Sequence, residues 1–400
     1  MLTATLGRAG WVAAGTLLGQ GAVLVATPFL ARIFTPADFG QLAILITISN
    51  IATAVACLRY DLALPAAPDS DINGLLRDCI ASSALLAACA AVAVDIVARV
   101  PGFGTSKVAL GPASWTVVLV CVFAAGVYQA ANALLLRWSA YRGVALIRAS
   151  QGVLFALVSF VRSIGLMWAH ALSFLVGGLA VVHALRSREG DAGWLHTARA
   201  YAKYPIWGIP GAALDVVGYS LCVWTIAGVY GDAAAGEYSQ VQRLVGAPLM
   251  LVSISLGQIL LRQTAELQHD KAQLRALLGK VFALLAGLSV CGLVALFFVG
   301  EPGIALILGG QWSISRDFIV CTSFAAFVRA CVSPLSSVLI TFRRFELALA
   351  WQATYFVSAI VLFSYFARTL TLEQFVAFYA IHECVLYGAY AALIARSLRR

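Results

Sequence analysis

Four charged side chains stand where charge is least expected: Asp215, Arg243, Arg329 and Glu383 each lie inside a long apolar run. A charge in such a run is costly, faces an interior or wet surface, and marks a functional candidate. The guanidinium fork donates paired hydrogen bonds that match phosphate oxygens, so Arg243 and Arg329 are candidates for holding an anionic group. Burial raises a carboxyl pKa towards the physiological range, so Asp215 and Glu383 are candidates for proton or cation coupling. The competing reading is structural, with the charges pairing between neighbouring helices, for instance Asp215 with Arg243. Gln20 and Asn50 sit within two further apolar runs, where lining a cavity and bonding between helices are equally open readings. Pro210 leaves nearby carbonyls without a donor and is a candidate hinge.

Other chemistries lack their residues. Gly309-Gly310 is followed by Gln311-Trp312, not by the Lys and Ser/Thr of a phosphate-binding loop, which argues against direct ATP drive. His170, His183, His196, His269 and His382 have no metal-ligand spacing. The nine cysteines lie in or at the start of apolar runs without a CxxC pair, so the reading is small core residues with no disulfide framework, no metal and no cofactor.

The elements that carry these residues follow from composition. The 400 residues are 62% hydrophobic and only 11% charged, with mean hydropathy +0.90. A water-facing fold would expose far more apolar surface than soluble proteins tolerate. Backbone groups in hydrocarbon must bond within their own segment, which predicts spanning helices of roughly 20 residues each, about twelve in all. They lie near 9–31, 39–58, 79–98, 115–136, 147–163, 166–185, 208–230, 236–260, 281–300, 314–340, 347–367 and 375–395. The first is long for a signal peptide and reads as a retained helix. Between the fifth and sixth, the turn falls at Ser163-Ile164-Gly165.

The net charge of +9 has a topological reading. Of the 27 Lys and Arg, only Arg32, Arg99, Lys107, Arg162, Arg316 and Arg368 fall on the side opposite Arg8, with Arg243 and Arg329 inside segments. That bias predicts an even number of spans and cytoplasmic termini. Interleaved aromatic and basic strands are missing, which argues against nucleic acid. Trp11, Trp115, Trp138, Trp168 and Trp351 near segment ends fit an interfacial belt. Gln263-Thr264-Ala265-Glu266-Leu267 and Leu274-Arg275-Ala276-Leu277-Leu278 suggest short amphipathic helices at the headgroups, or plain solvated connectors. The turns at Pro36-Ala37-Asp38-Phe39-Gly40-Gln41-Leu42 and Asp232-Ala233-Ala234-Ala235-Gly236-Glu237-Tyr238 echo each other. They suggest six-helix lobes over 1–200 and 201–400, related by an axis along the membrane normal.

Several stretches, in order, resemble the Wzx-type polysaccharide flippases of the MOP superfamily. The first is Leu30-Ala31-Arg32-Ile33-Phe34-Thr35-Pro36-Ala37-Asp38-Phe39-Gly40 with Leu58-Arg59-Tyr60-Asp61-Leu62-Ala63-Leu64-Pro65. The second runs from Tyr201-Ala202-Lys203-Tyr204-Pro205 through Pro210, Ala235-Gly236-Glu237-Tyr238 and Arg243-Leu244-Val245-Gly246-Ala247-Pro248-Leu249 to Ile254-Ser255-Leu256-Gly257-Gln258. The third is Gly309-Gly310-Gln311-Trp312. The resemblance implies two six-helix lobes around a central cationic cavity in a bacterial inner membrane. It implies an undecaprenyl-diphosphate-linked oligosaccharide as cargo, for an O-antigen or exopolysaccharide. It also implies alternating access coupled to an ion gradient, with membrane lipids and other polysaccharide assembly proteins as partners. Few acidic groups lie in the first lobe's helices, which leaves the coupling ion open. Two rivals have distinct signatures. A multidrug or small-cation antiporter of the same superfamily favours buried carboxylates over arginines. A membrane polysaccharide polymerase or glycosyltransferase needs a sizeable outside loop with paired functional residues or an acidic metal motif.

Overall fold

The computed structural model describes residues 2–65, 67–99, 114–178, 180–182, 194–267, 270–342 and 344–398. Among them every regular element is helical. Eleven helices are long and apolar enough to cross a membrane, so the chain is a multi-pass α-helical membrane protein. The expected eighth span is different. Residues 232–266 stay helical, but as α-helix Asp232–Val241, a π turn Gln242–Gly246, and α-helix Ala247–Glu266. Packing divides the chain into two compact units, Met1–Asp232 and Ala233–Arg400.

The first unit contains α1 (Leu2–Ile33), α2 (Pro36–Val55), α3 (Ile72–Arg99), α4 (Ser114–Arg137), α5 (Tyr141–Ser159), α6 (Gly165–Ser173), the short α7 (Trp194–Ala200) and α8 (Lys203–Tyr230). The start of α2 is written locally. Thr35 accepts from the Asp38 amide, Asp38 accepts from the Thr35 amide, and Pro36 occupies the first helical turn. This reciprocal cap satisfies two amides that the helix end would leave bare. The turn expected at Ser163-Ile164-Gly165 is present, and Gly165 takes a left-handed φ of 74° before α6. The break at 200/201 read from the sequence and the break after Asp232 read from packing differ by α8. That helix lies along α2, where the Trp224 indole donates to Thr47 Oγ1 at 2.6 Å.

α1 and α5 meet backbone to backbone. A Cβ on Gly19 would stand 2.6 Å from the Arg148 carbonyl oxygen, and one on Gly152 would collide with the Gly19 backbone. Small residues are what allow two membrane helices to approach this closely. Gly152→Leu is expected to destabilise the protein by about 2 kcal/mol or more, because the neighbouring backbone cannot yield. Gly21→Leu, in open space on the partner helix α1, is the control. Thermal unfolding in detergent separates the two, and equal melting points would contradict the packing.

The second unit begins after the first residue of α9 (Asp232–Val241) and continues through the π turn, α10 (Ala247–Glu266), α11 (Lys271–Leu308), α12 (Arg316–Val332), α13 (Ser337–Thr341), α14 (Phe345–Phe366) and α15 (Leu372–Ser397). The two amphipathic stretches expected at the headgroups are the ends of longer helices: Gln263–Glu266 closes α10, and Leu274–Leu278 opens α11. Asp270 sets that boundary by accepting from the amides of Ala272 and Gln273 at 3.1 and 2.9 Å. The buried centre of the unit is α12. On one side, α10 seats Ser253 Oγ against the Ala330 carbonyl at 2.8 Å, and Gly257 faces Pro334. On the other, α12 carries Arg329 towards α14 and α15.

Candidate functional site

Arg329 is 9% exposed and Glu383 is fully buried. They meet: Arg329 Nη2 and Nε donate to Glu383 Oε2 at 2.9 and 3.3 Å. Nη2 also reaches the hydroxyls of Tyr379 at 2.9 Å and Tyr355 at 3.3 Å. Tyr355 in turn donates to Glu383 Oε1 at 2.5 Å. The guanidinium lies 5.9 Å from the Tyr387 ring centroid, and Trp351 stacks on Tyr390 at 4.1 Å and closes the aromatic wall. Three helices therefore contribute: α12 the cation, α15 the carboxylate and Tyr379, α14 Tyr355. Both carboxylate oxygens and most of the fork are committed inside the protein. Two residues assigned separate roles from sequence, anion binding for Arg329 and ion coupling for Glu383, are here each other's partner.

Arg243 has different surroundings. It sits half-buried in the π turn, where a single wide turn is inserted into an otherwise α-helical run. Such turns cluster at functional sites. The turn is braced by Gln242, whose amide donates to the Tyr238 hydroxyl at 2.9 Å, and by Gly246 against Ala326. The Arg243 guanidinium itself has no hydrogen-bond or ion-pair partner in the protein among the described residues. Gln240, fully buried nearby in α9, likewise has neither amide atom bonded to protein.

The remaining candidates are not drawn into either cluster. Gln20 and Asn50 are exposed on α1 and α2, and the Asn50 carbonyl accepts from Thr53. Asp215 lies on α8, and its side chain falls outside the described residues. Pro210 is exposed within α8, which remains helical across it.

One polar platform was not singled out from sequence as a site. It lies in the segment joining α2 to α3. Asp61 is 4% exposed and accepts from Gln129 Nε2 of α4 at 3.1 Å. Tyr60 donates to the Ala198 carbonyl of α7, Thr197 to Asp78 at 2.7 Å, and Tyr201 to Asp71 at 3.0 Å. Arg137 of α4 donates to the carbonyls of Leu64 and Ala67 and to Asp69 Oδ1. The acidic and basic letters were visible, but their burial was not: a short polar run reads as a solvated turn until other helices cover it. Burial pushes the Asp61 carboxyl up from its ordinary value of 3.8, against the lowering by the Gln129 hydrogen bond and the Arg59 charge. A raised carboxyl pKa stabilises the fold at pH below the ordinary value, and that stabilisation is lost as pH rises through the folded value. Asp61→Asn mimics the protonated group. It is expected to melt above the wild type at neutral pH, with the gap closing on acidification. A gap that widens in acid would reverse the sign.

Eleven candidate spans among the described residues, all helical, define a multi-pass membrane protein by class. Known structures agree on the fold. The chain is similar to a structure of the lipid II flippase MurJ in an inward closed conformation, with TM-score 0.75, 11% identity, and coverage of 97% of this chain and 87% of that one. It is similar to the Vibrio cholerae MATE transporter VcmN, with TM-score 0.58, 14% identity, and coverage of 98% and 96%. It is also similar to a MOP superfamily transporter from Pyrococcus furiosus, with TM-score 0.57, 14% identity, and coverage of 98% and 95%. No curated protein matches it in sequence. A sequence model described as polysaccharide biosynthesis protein matches residues 29–317, and the chain belongs to that family.

Proposed function

We propose that this protein flips a polyprenyl-diphosphate-linked oligosaccharide from the cytoplasmic to the periplasmic leaflet of a bacterial inner membrane. It works by alternating access coupled to an ion gradient, with both termini cytoplasmic. Arg243 is the observation that carries this reading. A guanidinium in an apolar helical run, without a hydrogen-bond or ion-pair partner among the described residues, keeps its paired donors for a ligand anion. A diphosphate is such an anion, and it is the group a lipid carrier must drag through hydrocarbon. The family and the MurJ-like fold support a lipid-linked cargo. Glu383, already compensated by Arg329, is a poor binding group for a cationic drug, which weighs against the antiporter reading. Gln20 and Asn50 remain candidates for sugar contacts, Asp215 for ion coupling and Pro210 for bending of α8.

The test is translocation in reconstituted vesicles. A fluorescent polyprenyl-diphosphate oligosaccharide placed in the outer leaflet should become protected when an ion gradient is imposed, with no nucleotide present. Protection that appears only with ATP, or not at all, contradicts the reading.

A further inference from the structure

The guanidinium groups that the structure describes differ in what they already hold. Arg329 is committed to Glu383 and two tyrosines, Arg137 to two carbonyls and Asp69, Arg148 to Thr16, and Arg275 to the Leu398 carbonyl. Arg59 donates one hydrogen bond, from Nη1 to the Ala54 carbonyl at 3.3 Å. Its Nε is buried without a protein partner. The side chain as a whole is only partly buried. Asp61 two residues on makes no ion pair with it, being held by Gln129 instead.

The backbone there is unusual. Leu58 and Arg59 follow α2 with φ of 47° and 63°, two consecutive non-glycine residues in the left-handed region. Each costs on the order of 1–3 kcal/mol, a strain that persists where surrounding structure enforces it and that gathers at functional sites. The reversal throws the Arg59 stem back between the last turn of α2 and the start of α8. There Gly208 is what admits it: a Cβ at that position would stand 3.1 Å from Arg59 Cγ and 3.4 Å from Nε. Capping α2 alone would not need this, because a glycine or asparagine makes the same turn without strain. What the turn achieves is an arginine clamped by its stem, with most of its donors unspent, at the basic end of the first unit.

We propose that Arg59 is a phosphate-binding residue of the first unit, which takes the diphosphate of the lipid-linked cargo. This rests on the reading of the chain as a carrier of such cargo. A phosphate oxygen would be taken by Nη2, the unspent donor outside the buried part of the side chain. Gly208 is the positioning residue that leaves room for the stem beside the start of α8.

The test uses purified full-length protein, with geranylgeranyl diphosphate as the probe and binding read by thermophoresis. Inorganic diphosphate and phosphatidylglycerol serve as competitors, and R59Q, R59K, R59G and R243Q as variants. R59Q is expected to weaken binding about tenfold or more, as loss of a charged, paired contact should. R59K should fall between R59Q and the wild type, since it keeps charge but not the fork. R59G should lose binding as R59Q does while its melting temperature stays near that of the wild type, because glycine accepts the left-handed turn. This variant separates ligand binding from folding even where R59Q fails to fold. Inorganic diphosphate should compete and phosphatidylglycerol should not. Wild-type affinity in R59Q or R59G overturns the assignment. If R243Q alone abolishes binding, the carrier reading survives without Arg59. If the wild type binds no diphosphate, both fall. Equal competition by phosphatidylglycerol would make this a phospholipid site and would likewise overturn the proposal.

Discussion

Arg329→Gln is expected to lower stability by about 3–5 kcal/mol, because it leaves the Glu383 carboxylate buried without its counter-charge. Glu383 is fully enclosed, and the remaining donor to it is the Tyr355 hydroxyl. One neutral hydrogen bond does not balance a desolvated carboxylate. Glu383→Gln should cost a comparable amount by stranding the guanidinium. The double variant Arg329→Met, Glu383→Leu removes both charges at similar volume and should recover most of the loss, as apolar replacement of buried ion pairs does elsewhere. A residue of destabilisation should remain, because the Tyr379 and Tyr355 hydroxyls lose their partners. Thermal unfolding of the four proteins in detergent gives the coupling energy directly. Singles that melt with the wild type would show that the pair is not the keystone of the second unit. Loss of glycan export in Arg329→Gln would then need a stability control before it could be read as loss of cargo binding.

Arg243→Gln is expected to do the opposite. The side chain spends no hydrogen bond or ion pair on any described residue, so its removal strands none of them. Stability should shift by less than about 0.5–1 kcal/mol, and upward if at all, because a partly buried unpaired charge is removed. Transport should fall by one to several orders of magnitude, on the scale expected when a charge-assisted phosphate contact of roughly 1.5–3 kcal/mol is lost together with its orientation of the cargo. Vesicle translocation measured beside the melting temperature makes the comparison. Full transport in Arg243→Gln removes the residue from the mechanism. A collapse in stability would instead mean that the π turn needs the guanidinium to hold its shape.

The contrast between these arginines marks the boundary of what sequence can carry. Apolar run length dictated the helices, because a backbone in lipid has no other donor than its own chain. The capped starts of α2 and α15, Thr35 with Asp38 and Thr371 with Gln374, are local patterns that need no distant partner. The charges inside runs were legible as a class, since their cost is a property of the segment. Their partners were not, because pairing depends on the rotation and depth of one helix against another. Arg243 and Arg329 look alike in sequence, yet one holds Glu383, Tyr355 and Tyr379 and the other has no hydrogen-bond or ion-pair partner among the described residues. The eighth span showed its apolar character but not its π turn, since one extra residue per turn leaves hydropathy unchanged. The burial of Asp61 and the left-handed turn at Arg59 arose only when α4, α7 and α8 closed over a loop that reads as polar. By itself the sequence determined a many-spanned helical membrane protein of a recognisable family, because hydropathy and backbone self-bonding act within a segment. Tertiary structure alone decided which charges are spent on the fold and which are not, because that is settled by contacts between segments.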